Sequence, residues 1–401
     1  NGMDEEATST IKRESEILRL ITLARLKRTP LRTEYHGTRI NSSWVEVDYL
    51  ARALEKYKKT NGLYDYTDML ELFVEKGPQV CPHFELCLLD EAQDLSAIQW
   101  EIAHILDGKS TKMYCSGDDD QAIYNFAGAD IEHFINLPGG AEILERSYRV
   151  PATVHGLAHK ISSRIRRRYP KKYLPRKNSR GSVQRIYSPD GLDFSRGDWL
   201  IVSQAHYQTN PIADYLKQGG FFFERSGYPS VPLKISTALQ AWQKLQKDEL
   251  IDLDEAKILY SFMRGNGVRV RRGFKTIRAD ESDRFSLDQL QQQYGLLATA
   301  DMEWGTALDR LPDVDQVYCS AILRRGEDLT GVPRIRLSTI HGAKGGEAEN
   351  VIVFSDLTAA AENASEFDGD TLHRVFYVAV TRTKQNLFVV EPDLYQRSYP
   401  L

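Results

Sequence analysis

The sequence lacks several features that would mark a membrane or secreted protein. None of its 401 residues belong to an apolar run of ~18 residues, so we expect no membrane-spanning helix. The first residues are acidic and contain no apolar segment of the kind found in signal peptides. The spacing of the few cysteines fits no common zinc pairing, so we expect buried, reduced thiols in a cytoplasmic protein. These cysteines are Cys81, Cys87, Cys115 and Cys319.

The sequence also lacks an overall basic charge, because its formal net charge is -4. Any binding to nucleic acid must therefore come from local basic patches. One candidate is the stretch 164–180, which contains nine arginines and lysines, no acidic residue, and two interleaved tyrosines. A second, over 264–278, contains Arg269, Arg271, Arg272 and Lys275. Two interpretations stay open for each: contact with nucleic-acid phosphates, or an ordinary solvated face.

The length favours two to four domains, and the pattern of apolar runs favours an α/β fold. Short apolar runs typical of buried strands alternate with helical segments, as expected for parallel sheets. These runs are 84–89, 112–115, 199–202, 351–354 and 387–390. A helix is predicted to begin at Asn210-Pro211 and to end at Gly219-Gly220.

Helical periodicity dominates two other regions. Residues 1–75 are predicted to be helical, including a helix that begins behind Ser43 and ends at Asn61-Gly62. Residues 230–330 contain few strand-like runs. Asp252 with Glu255, and Ser286 with Gln289, are spaced as capping boxes there. We interpret 230–330 as a mostly helical insertion within a second α/β domain.

Two adjacent carboxylates, Asp90 and Glu91, follow the apolar run 84–89. Open α/β sheets bind ligands at the carboxyl ends of their strands. Hydrolysis of a nucleoside triphosphate needs one carboxylate to hold Mg²⁺ and a base near the attacking water. The pair is therefore a candidate hydrolytic site, although a solvated acidic turn would look the same.

The segment Gly117-Asp118-Asp119-Asp120-Gln121-Ala122-Ile123-Tyr124-Asn125-Phe126-Ala127-Gly128-Ala129-Asp130 is far more specific. It resembles motif III of the UvrD/Rep/PcrA group of superfamily 1 (1A) DNA helicases, and it follows a DEAQD segment that resembles motif II. Residues 144–149 resemble motif IV, 338–347 motif V, and 376–384 motif VI. Residues 64–70 are similar to a further segment of that family. The resemblance is dense over 64–150 and 335–390.

The resemblance implies a role for each matching residue, with ATP and Mg²⁺ as cofactors. Asp90 would hold Mg²⁺, Glu91 would be the catalytic base, and Gln121 would sense the γ-phosphate.

The resemblance assigns four further residues to the nucleotide. Arg149 and Arg382 would be arginine fingers from the second domain that neutralise charge on the γ-phosphoryl group. Tyr148 would bind the adenine, and Glu347 would bind the ribose.

The resemblance also implies binding to single-stranded DNA and to junctions between duplex and single strand. Tyr124 and Phe126 would stack on bases, which is worth ~1–3 kcal/mol per base. Thr339 and His341 would contact the DNA backbone. The implied activity is ATP-driven translocation and unwinding, with 3′→5′ polarity.

The sequence departs from the family at two points. It contains no Gly-x-x-x-x-Gly-Lys-Ser/Thr, the P-loop that cradles the phosphates. The chain could be a fragment, inactive alone; upstream residues could have been omitted; or the protein could lack the loop and bind DNA or a partner without hydrolysing ATP. The complete set of γ-phosphate residues argues against the last explanation. Gly346 replaces the usual leucine of motif V and is expected to loosen Glu347.

The expected architecture is α/β, with two RecA-like domains of the P-loop NTPase type and helical 1B-like and 2B-like insertions. Residues 1–142 would form an incomplete domain 1A with part of 1B. Residues 143–229 and 331–401 would form domain 2A, and 230–330 a short 2B-like insertion. A second rival is the motor part of a helicase–nuclease fusion, but no convincing Asp…Glu-x-Lys nuclease site occurs in this sequence.

Overall fold

The computed structural model describes residues 16–359, 361–362, 368–392 and 397–401. The chain divides into two compact units, each built from separated stretches. The first unit contains 1–148, 155–175 and 360–378, and the second contains 149–154, 176–359 and 379–401.

The first unit begins with helices. Residues 16–26 form α1, followed by α2 (Leu31–Gly37), α3 (Trp44–Asn61) and α4 (Tyr66–Val80). The predicted signals around α3 are confirmed: Ser43 and Glu46 form a capping box, and Gly62 adopts the left-handed conformation with φ 61°. The part of the helical prediction that covers 1–15 lies outside the described residues.

A two-stranded parallel sheet follows, formed by β1 (Phe84–Leu89) and β2 (Ser110–Cys115) with α5 (Ala97–Gly108) between them. Leu89 and Met113 pack against a small buried cluster that includes Trp100 of α5. The opposite face is uncovered, because Leu88 is 71% exposed. The prediction of a strand at 84–89 is confirmed, but the expectation that it is buried is wrong. The helix α6 (Ile131–Ile135) comes next.

The second unit is built on a seven-stranded sheet in the order β3-β11-β10-β4-β9-β5-β6. Every pair is parallel except β5 with β6. The strands are β3 (Ser182–Ile186), β4 (Trp199–Ser203), β5 (Phe223–Arg225), β6 (Tyr228–Pro229), β9 (Ile335–Thr339), β10 (Ala348–Phe354) and β11 (Thr383–Val390). The predicted runs at 199–202, 351–354 and 387–390 are therefore strands, and β4 is fully buried as expected.

Two helices contain residues of both units: α7 (Ala152–Ser162) and α14 (Gly369–Thr381). The helix α8 (Asn210–Gln218) confirms the predicted segment and carries proline in its first turn. Its N-cap is Thr209, one residue before the predicted start, and Gly219 is its C-cap.

Residues 230–330 are mostly helical, with α9 (Leu233–Gln246), α10 (Leu253–Ser261), α11 (Leu287–Gln293), α12 (Trp304–Ala307) and α13 (Asp313–Arg324). Both predicted capping boxes are present, at Asp252 and Ser286. A short antiparallel pair is formed by β7 (Ile251–Asp252), just before α10, and β8 (Arg284–Phe285), just before α11. These residues share one hydrophobic core with the sheet, because the buried Trp242 and Tyr260 belong to the same cluster as Ile201 and Ile335.

The division into units differs from the expected domain boundaries. The first unit extends to Tyr148 rather than 142, and it also takes in 155–175 and 360–378. The stretch 155–175 belongs there because Arg168 and Lys171 form ion pairs with the aspartates of 118–120. The residues 230–330 do not separate from the second unit.

Candidate functional site

Asp90 stands immediately after β1 and is held as an ionised carboxylate. Its Oδ1 accepts hydrogen bonds from the Ser116 hydroxyl at 2.5 Å and from the Glu91 backbone N–H at 2.9 Å. These bonds, that of Ser116 foremost, lower the pKa of Asp90 below its ordinary value. An exposed, ionised carboxylate at a strand end suits a hard cation such as Mg²⁺.

Glu91 has an unusual backbone conformation. Its φ of 52° and ψ of 37° lie in the left-handed region, which side chains other than glycine rarely adopt. This conformation ends β1 and begins the 3₁₀ turn Ala92–Asp94. Strained residues of this kind occur at active sites and also in ordinary turns, and five other non-glycine residues of the described chain share a positive φ. The conformation of Glu91 turns the chain directly after Asp90, but it is not by itself evidence of function.

Gln93 joins the motif II and motif III segments. Its side chain is fully buried; its Nε2 donates to Glu91 Oε2 at 2.5 Å, and its Oε1 accepts from the Asp118 backbone N–H at 2.9 Å. The segments can approach this closely only because residue 117 is glycine. A Cβ on Gly117 would collide with Gln93 Oε1 and lie 2.8 Å from the Phe134 ring.

Asp118 fixes the side chain of Gln121. The Asp118 carboxylate accepts from Gln121 Nε2 at 2.7 Å through Oδ2. Its Oδ1 accepts from Lys171 Nζ at 2.8 Å and from the Asp120 backbone N–H at 3.1 Å. Burial by itself raises the pKa of Asp118, but the lysine and the hydrogen bonds outweigh it and keep the pKa below the ordinary value.

The three consecutive aspartates form a buried ionic cluster with cations from distant parts of the chain. Lys171 also pairs with Asp119, and Arg168 Nε donates to Asp120 Oδ1 at 2.9 Å. Burial raises the pKa of Asp120, the most enclosed of the three. The buried Arg374 donates to the Asp119 carbonyl at 2.9 Å. Two cations thus pair with the three carboxylates, and the Arg374 guanidinium, bonded to a neighbouring backbone carbonyl, adds a third positive charge nearby.

This cluster changes the interpretation of the basic stretch 164–180. Lys171 and Arg168 are engaged in the ion pairs just described, with side chains only 5% and 18% exposed. The suggestion of phosphate contact is therefore wrong for these two residues. Other members, including Arg164, Arg166 and Lys172, are exposed, and contact with DNA stays a prediction for them.

In the second stretch, Arg269 pairs with Asp309 at 3.4 Å and Lys275 donates to the carbonyls of Tyr260 and Met263. These two cations are therefore structural. Arg271 and Arg272 are exposed. Contact with DNA stays a prediction for that pair.

The predicted base-stacking residues lie close together in the first unit. The ring centroids of Tyr124 and Phe126 are 6.1 Å apart, and Phe126 is half exposed. The Arg19 guanidinium lies 5.9 Å from the centre of the Phe126 ring. Burial, with the nearby charges of Asp94 and Glu91, raises the pKa of the Tyr124 phenol. An exposed ring flanked by a cation is suited to stacking on a nucleobase, and that role stays a prediction.

In the second unit, Glu347 is held by two cations. Its Oε1 accepts from Lys384 Nζ at 2.6 Å and its Oε2 pairs with Arg149 Nη1 at 3.5 Å. The hydrogen bond from Lys384 is the main reason that the pKa of Glu347 is lowered. The expectation that Gly346 leaves Glu347 loose is not supported, since both carboxylate oxygens are engaged. A Cβ at residue 346 would lie 3.1 Å from the Ala343 carbonyl oxygen.

Arg382 is only 2% exposed, and within the second unit it donates to the Gly346 carbonyl at 3.4 Å. Thr339 ends β9, and its hydroxyl accepts from the Gly342 backbone N–H at 3.1 Å. His341 lies in the turn that follows and is half-buried. Tyr148 is 87% exposed, so its ring is accessible for stacking.

The predicted site residues are divided between the two units, and direct contacts join only Asp90 with Glu91, Tyr124 with Phe126, and Arg149 with Glu347 among the pairs described above. The first unit contains Asp90, Glu91, Gln121, Tyr124, Phe126 and Tyr148, and the second contains Arg149, Thr339, His341, Glu347 and Arg382. Sequence reasoning assigned no role to Gln93 or Lys384. Both stand inside the recognised motifs, which was the available signal. The ion pairs of Lys171 were missed because the aspartates lie about 50 residues away.

Comparison with known protein families supports the resemblance to helicases that the sequence motifs indicate. Residues 4–139 match the model of the UvrD/REP helicase N-terminal domain, and residues 334–390 match the UvrD-like helicase C-terminal domain. The resemblance to UvrD/Rep/PcrA-type helicases is confirmed. The UvrD-like ranges contain every predicted site residue except Tyr148 and Arg149.

Several curated relatives are named as helicases. The chain is similar to DNA helicase II of Escherichia coli (strain K12), with 31% identity over 145 residues, covering 33% of this chain and 20% of that protein. It is similar to the putative ATP-dependent DNA helicase YjcD of Bacillus subtilis (strain 168), with 30% identity over 145 residues, or 33% of this chain and 19% of that protein. The probable DNA helicase II homolog of Rickettsia felis is 25% identical over 246 residues, or 51% and 38%.

The chain thus spans about a fifth of the length of the first two of these UvrD-like relatives. Within the part of the chain that the structure describes, no helix combines the length and the apolar character needed to cross a bilayer.

Proposed function

We propose that this chain is the motor part of an ATP-dependent DNA helicase that moves 3′→5′ along single-stranded DNA. Its two units would correspond to RecA-like domains with ATP between them. The observation that carries the proposal is the polar chain Glu91–Gln93–Asp118–Gln121, which joins the candidate base to the candidate γ-phosphate sensor. The helicase names of the relatives support it.

The first unit would supply the hydrolytic groups. Asp90 would hold Mg²⁺, which neutralises phosphate charge when ATP is bound. No three His, Cys, Asp or Glu side chains in the described ranges are grouped as a metal cage. This fits Mg²⁺, which commonly binds one or two carboxylates together with substrate phosphates. Glu91 would accept the proton of the attacking water, and Gln121 would orient the terminal phosphate.

The second unit would supply nucleotide and charge recognition. Arg149 and Arg382 would neutralise the charge that develops on the γ-phosphoryl group, a contribution that reaches ~10³–10⁵ in rate. Glu347 would bind the ribose hydroxyl, and Tyr148 of the first unit would stack on the adenine. Closure of the two units around ATP would then link nucleotide binding to movement.

Single-stranded DNA and its junctions with duplex are the proposed polymer substrate. Tyr124 and Phe126 would stack on successive bases without regard to sequence. Thr339 and His341 would contact the sugar–phosphate backbone. Each hydrolytic cycle would advance the strand past the aromatic pair.

One sequence observation favours a second candidate, a helicase-like protein that binds DNA or a partner without hydrolysing ATP. The 401 residues contain no Gly-x-x-x-x-Gly-Lys-Ser/Thr segment. The native reading frame upstream of Asn1 distinguishes the candidates, and so does ATPase activity of its complete product. A P-loop there, with turnover that single-stranded DNA stimulates, would exclude the second candidate.

The test of the proposed function is Glu91→Gln in the complete native chain. The variant should bind ATP and single-stranded DNA like the wild type but lose ATP turnover, because an amide cannot accept the proton from water. Glu85→Gln is the matched control, since Glu85 is an exposed residue of β1, the strand that Glu91 follows, and should tolerate the change. Turnover of Glu91→Gln at the wild-type rate would remove Glu91 from the mechanism.

A further inference from the structure

We propose that Lys171 is a positioning residue that orients the Gln121 amide through Asp118. The inference rests on the proposed function, because the orientation of Gln121 affects catalysis only if Gln121 contacts the γ-phosphate. Lys171 lies outside every motif that resembles the helicase family. Its assignment depends on contacts in the first unit alone.

Asp118 is placed between the two side chains. Lys171 Nζ donates to its Oδ1 at 2.8 Å, and Gln121 Nε2 donates to its Oδ2 at 2.7 Å. A largely shielded carboxylate with donors on both oxygens has a fixed orientation, so the Gln121 amide inherits that orientation.

The charge of Lys171 decides which end of the amide faces Asp118. An ionised carboxylate only accepts hydrogen bonds, so it selects the NH₂ end of the glutamine. The amide carbonyl Oε1 is then turned away from Asp118. Without the lysine, burial favours the protonated carboxyl group, which can donate. Asp118 would then no longer select the NH₂ end of Gln121, and the amide would be free to rotate by half a turn.

Lys171 is better suited to this task than the other cations of the cluster. Arg168 is bound to Asp120, and Arg374 donates to backbone carbonyls. Lys171 pairs with all three aspartates, including Asp120 at 3.4 Å. A compact ammonium with three donors can serve three carboxylates at once.

The first test observes Gln121 directly and needs no ATPase activity. The complete chain is labelled with ¹⁵N-glutamine, and Gln121→Ala identifies the side-chain amide signals of that residue. Lys171→Met should shift or broaden these signals. Lys58→Met is the matched control, because Lys58 is also a shielded lysine paired with two aspartates, Asp65 and Asp68. Unchanged Gln121 signals in Lys171→Met would overturn the inference.

A second variant guards against misfolding. Lys171→Met leaves the cluster with surplus negative charge, whereas Lys171→Met combined with Asp119→Asn restores its balance. The double variant keeps Asp118 and Gln121 but lacks the lysine. Its Gln121 signals should also differ from those of Asp119→Asn alone. Identical signals would count against Lys171 in the same way.

The second test is a double-mutant cycle on the DNA-stimulated ATPase. Lys171→Met should lower kcat by about ten- to a hundredfold with little change in KM for ATP, as misplacement of a catalytic group does. Adding it to Gln121→Ala should lower kcat no further, because the orienting residue then has nothing to orient. Fully additive losses would make Lys171 a merely structural residue. Absence of ATPase in the complete native wild-type chain would refute the proposed function, while the amide signals would still decide on Lys171.

Discussion

Gln93 is one buried side chain whose two ends bind different segments, and its environment leaves little free volume. Gly117 lies against it, and any side chain there would press on Gln93 and Phe134. Glycine is required at residue 117 because the two segments approach closely. Its backbone conformation is not the reason, since φ at Gly117 is not positive. The close packing of residues 91–93 against residues 117–121 therefore requires that residue 117 has no Cβ.

We expect Gly117→Ala to destabilise the protein by about 1–3 kcal/mol, because overpacking a filled site forces its neighbours to move. Chemical denaturation measures this change. Gly156→Ala is the control: Gly156 lies in α7 with no atom near its added Cβ, so it should be neutral or slightly stabilising. Equal stability of Gly117→Ala and the wild type would refute the packing argument.

Among the secondary structure elements, β1 and β4 are both apolar strands in parallel sheets, yet their environments differ. The residues of β4 are all buried, with sheet neighbours on both sides and a large core. In β1, one face packs on the Trp100 cluster while Leu86 and Leu88 remain exposed on the other. Two strands with apolar sequences are thus buried to different extents, so we expect them to contribute unequally to the stability of the fold.

This difference predicts unequal costs of substitution. Leu88→Ser should change the free energy of unfolding by no more than about 0.5 kcal/mol, as for most surface positions. Ile201→Ala, in β4, should cost about 2–5 kcal/mol, because it removes buried methyl groups and leaves a cavity. Urea titrations of both variants provide the comparison. A large loss for Leu88→Ser would mean that the β1 face is covered in solution.

The same contrast explains what the sequence could and could not predict. The caps at Ser43, Asp252 and Ser286 were predictable because capping depends on residues only three positions apart. Strand existence was predictable from short apolar runs. The burial of β1 was not, since burial depends on which elements cover a strand. Lys171 appeared to be one of many surface cations, because its partner Asp118 lies 53 residues away.

For the whole molecule, the net charge of -4 means that any affinity for DNA must come from local patches. The buried cations of the stretch 164–180 already neutralise aspartates, so they are not available to phosphates. Arg164, Arg166 and Lys172 are exposed members of the stretch within the first unit. If the stretch contacts DNA, these exposed side chains make the contacts.

We therefore expect the triple variant Arg164→Ala, Arg166→Ala, Lys172→Ala to reduce the salt dependence of single-strand binding. The slope of log K against log salt should fall by ~0.7 for each phosphate that the variant no longer neutralises. Binding titrations with an oligonucleotide at several salt concentrations measure it. A control variant removes the same charge by Lys234→Ala, Lys247→Ala, Lys257→Ala and should keep the slope. Equal slopes for both variants would leave the stretch as a solvated face.

The interleaving of the chain between the two units has a practical consequence for dissection of the protein. A polypeptide that stopped at residue 148 would contain Asp118, Asp119 and Asp120 but not the cations that pair with them, Arg168 and Lys171, since those come from 155–175. It would also lack Arg374, which donates to the Asp119 carbonyl from 360–378. Such a fragment would contain three carboxylates without the cations that pair with them in the intact chain. Neither unit can be excised by a single cut, so coexpressed segments are needed to rebuild one.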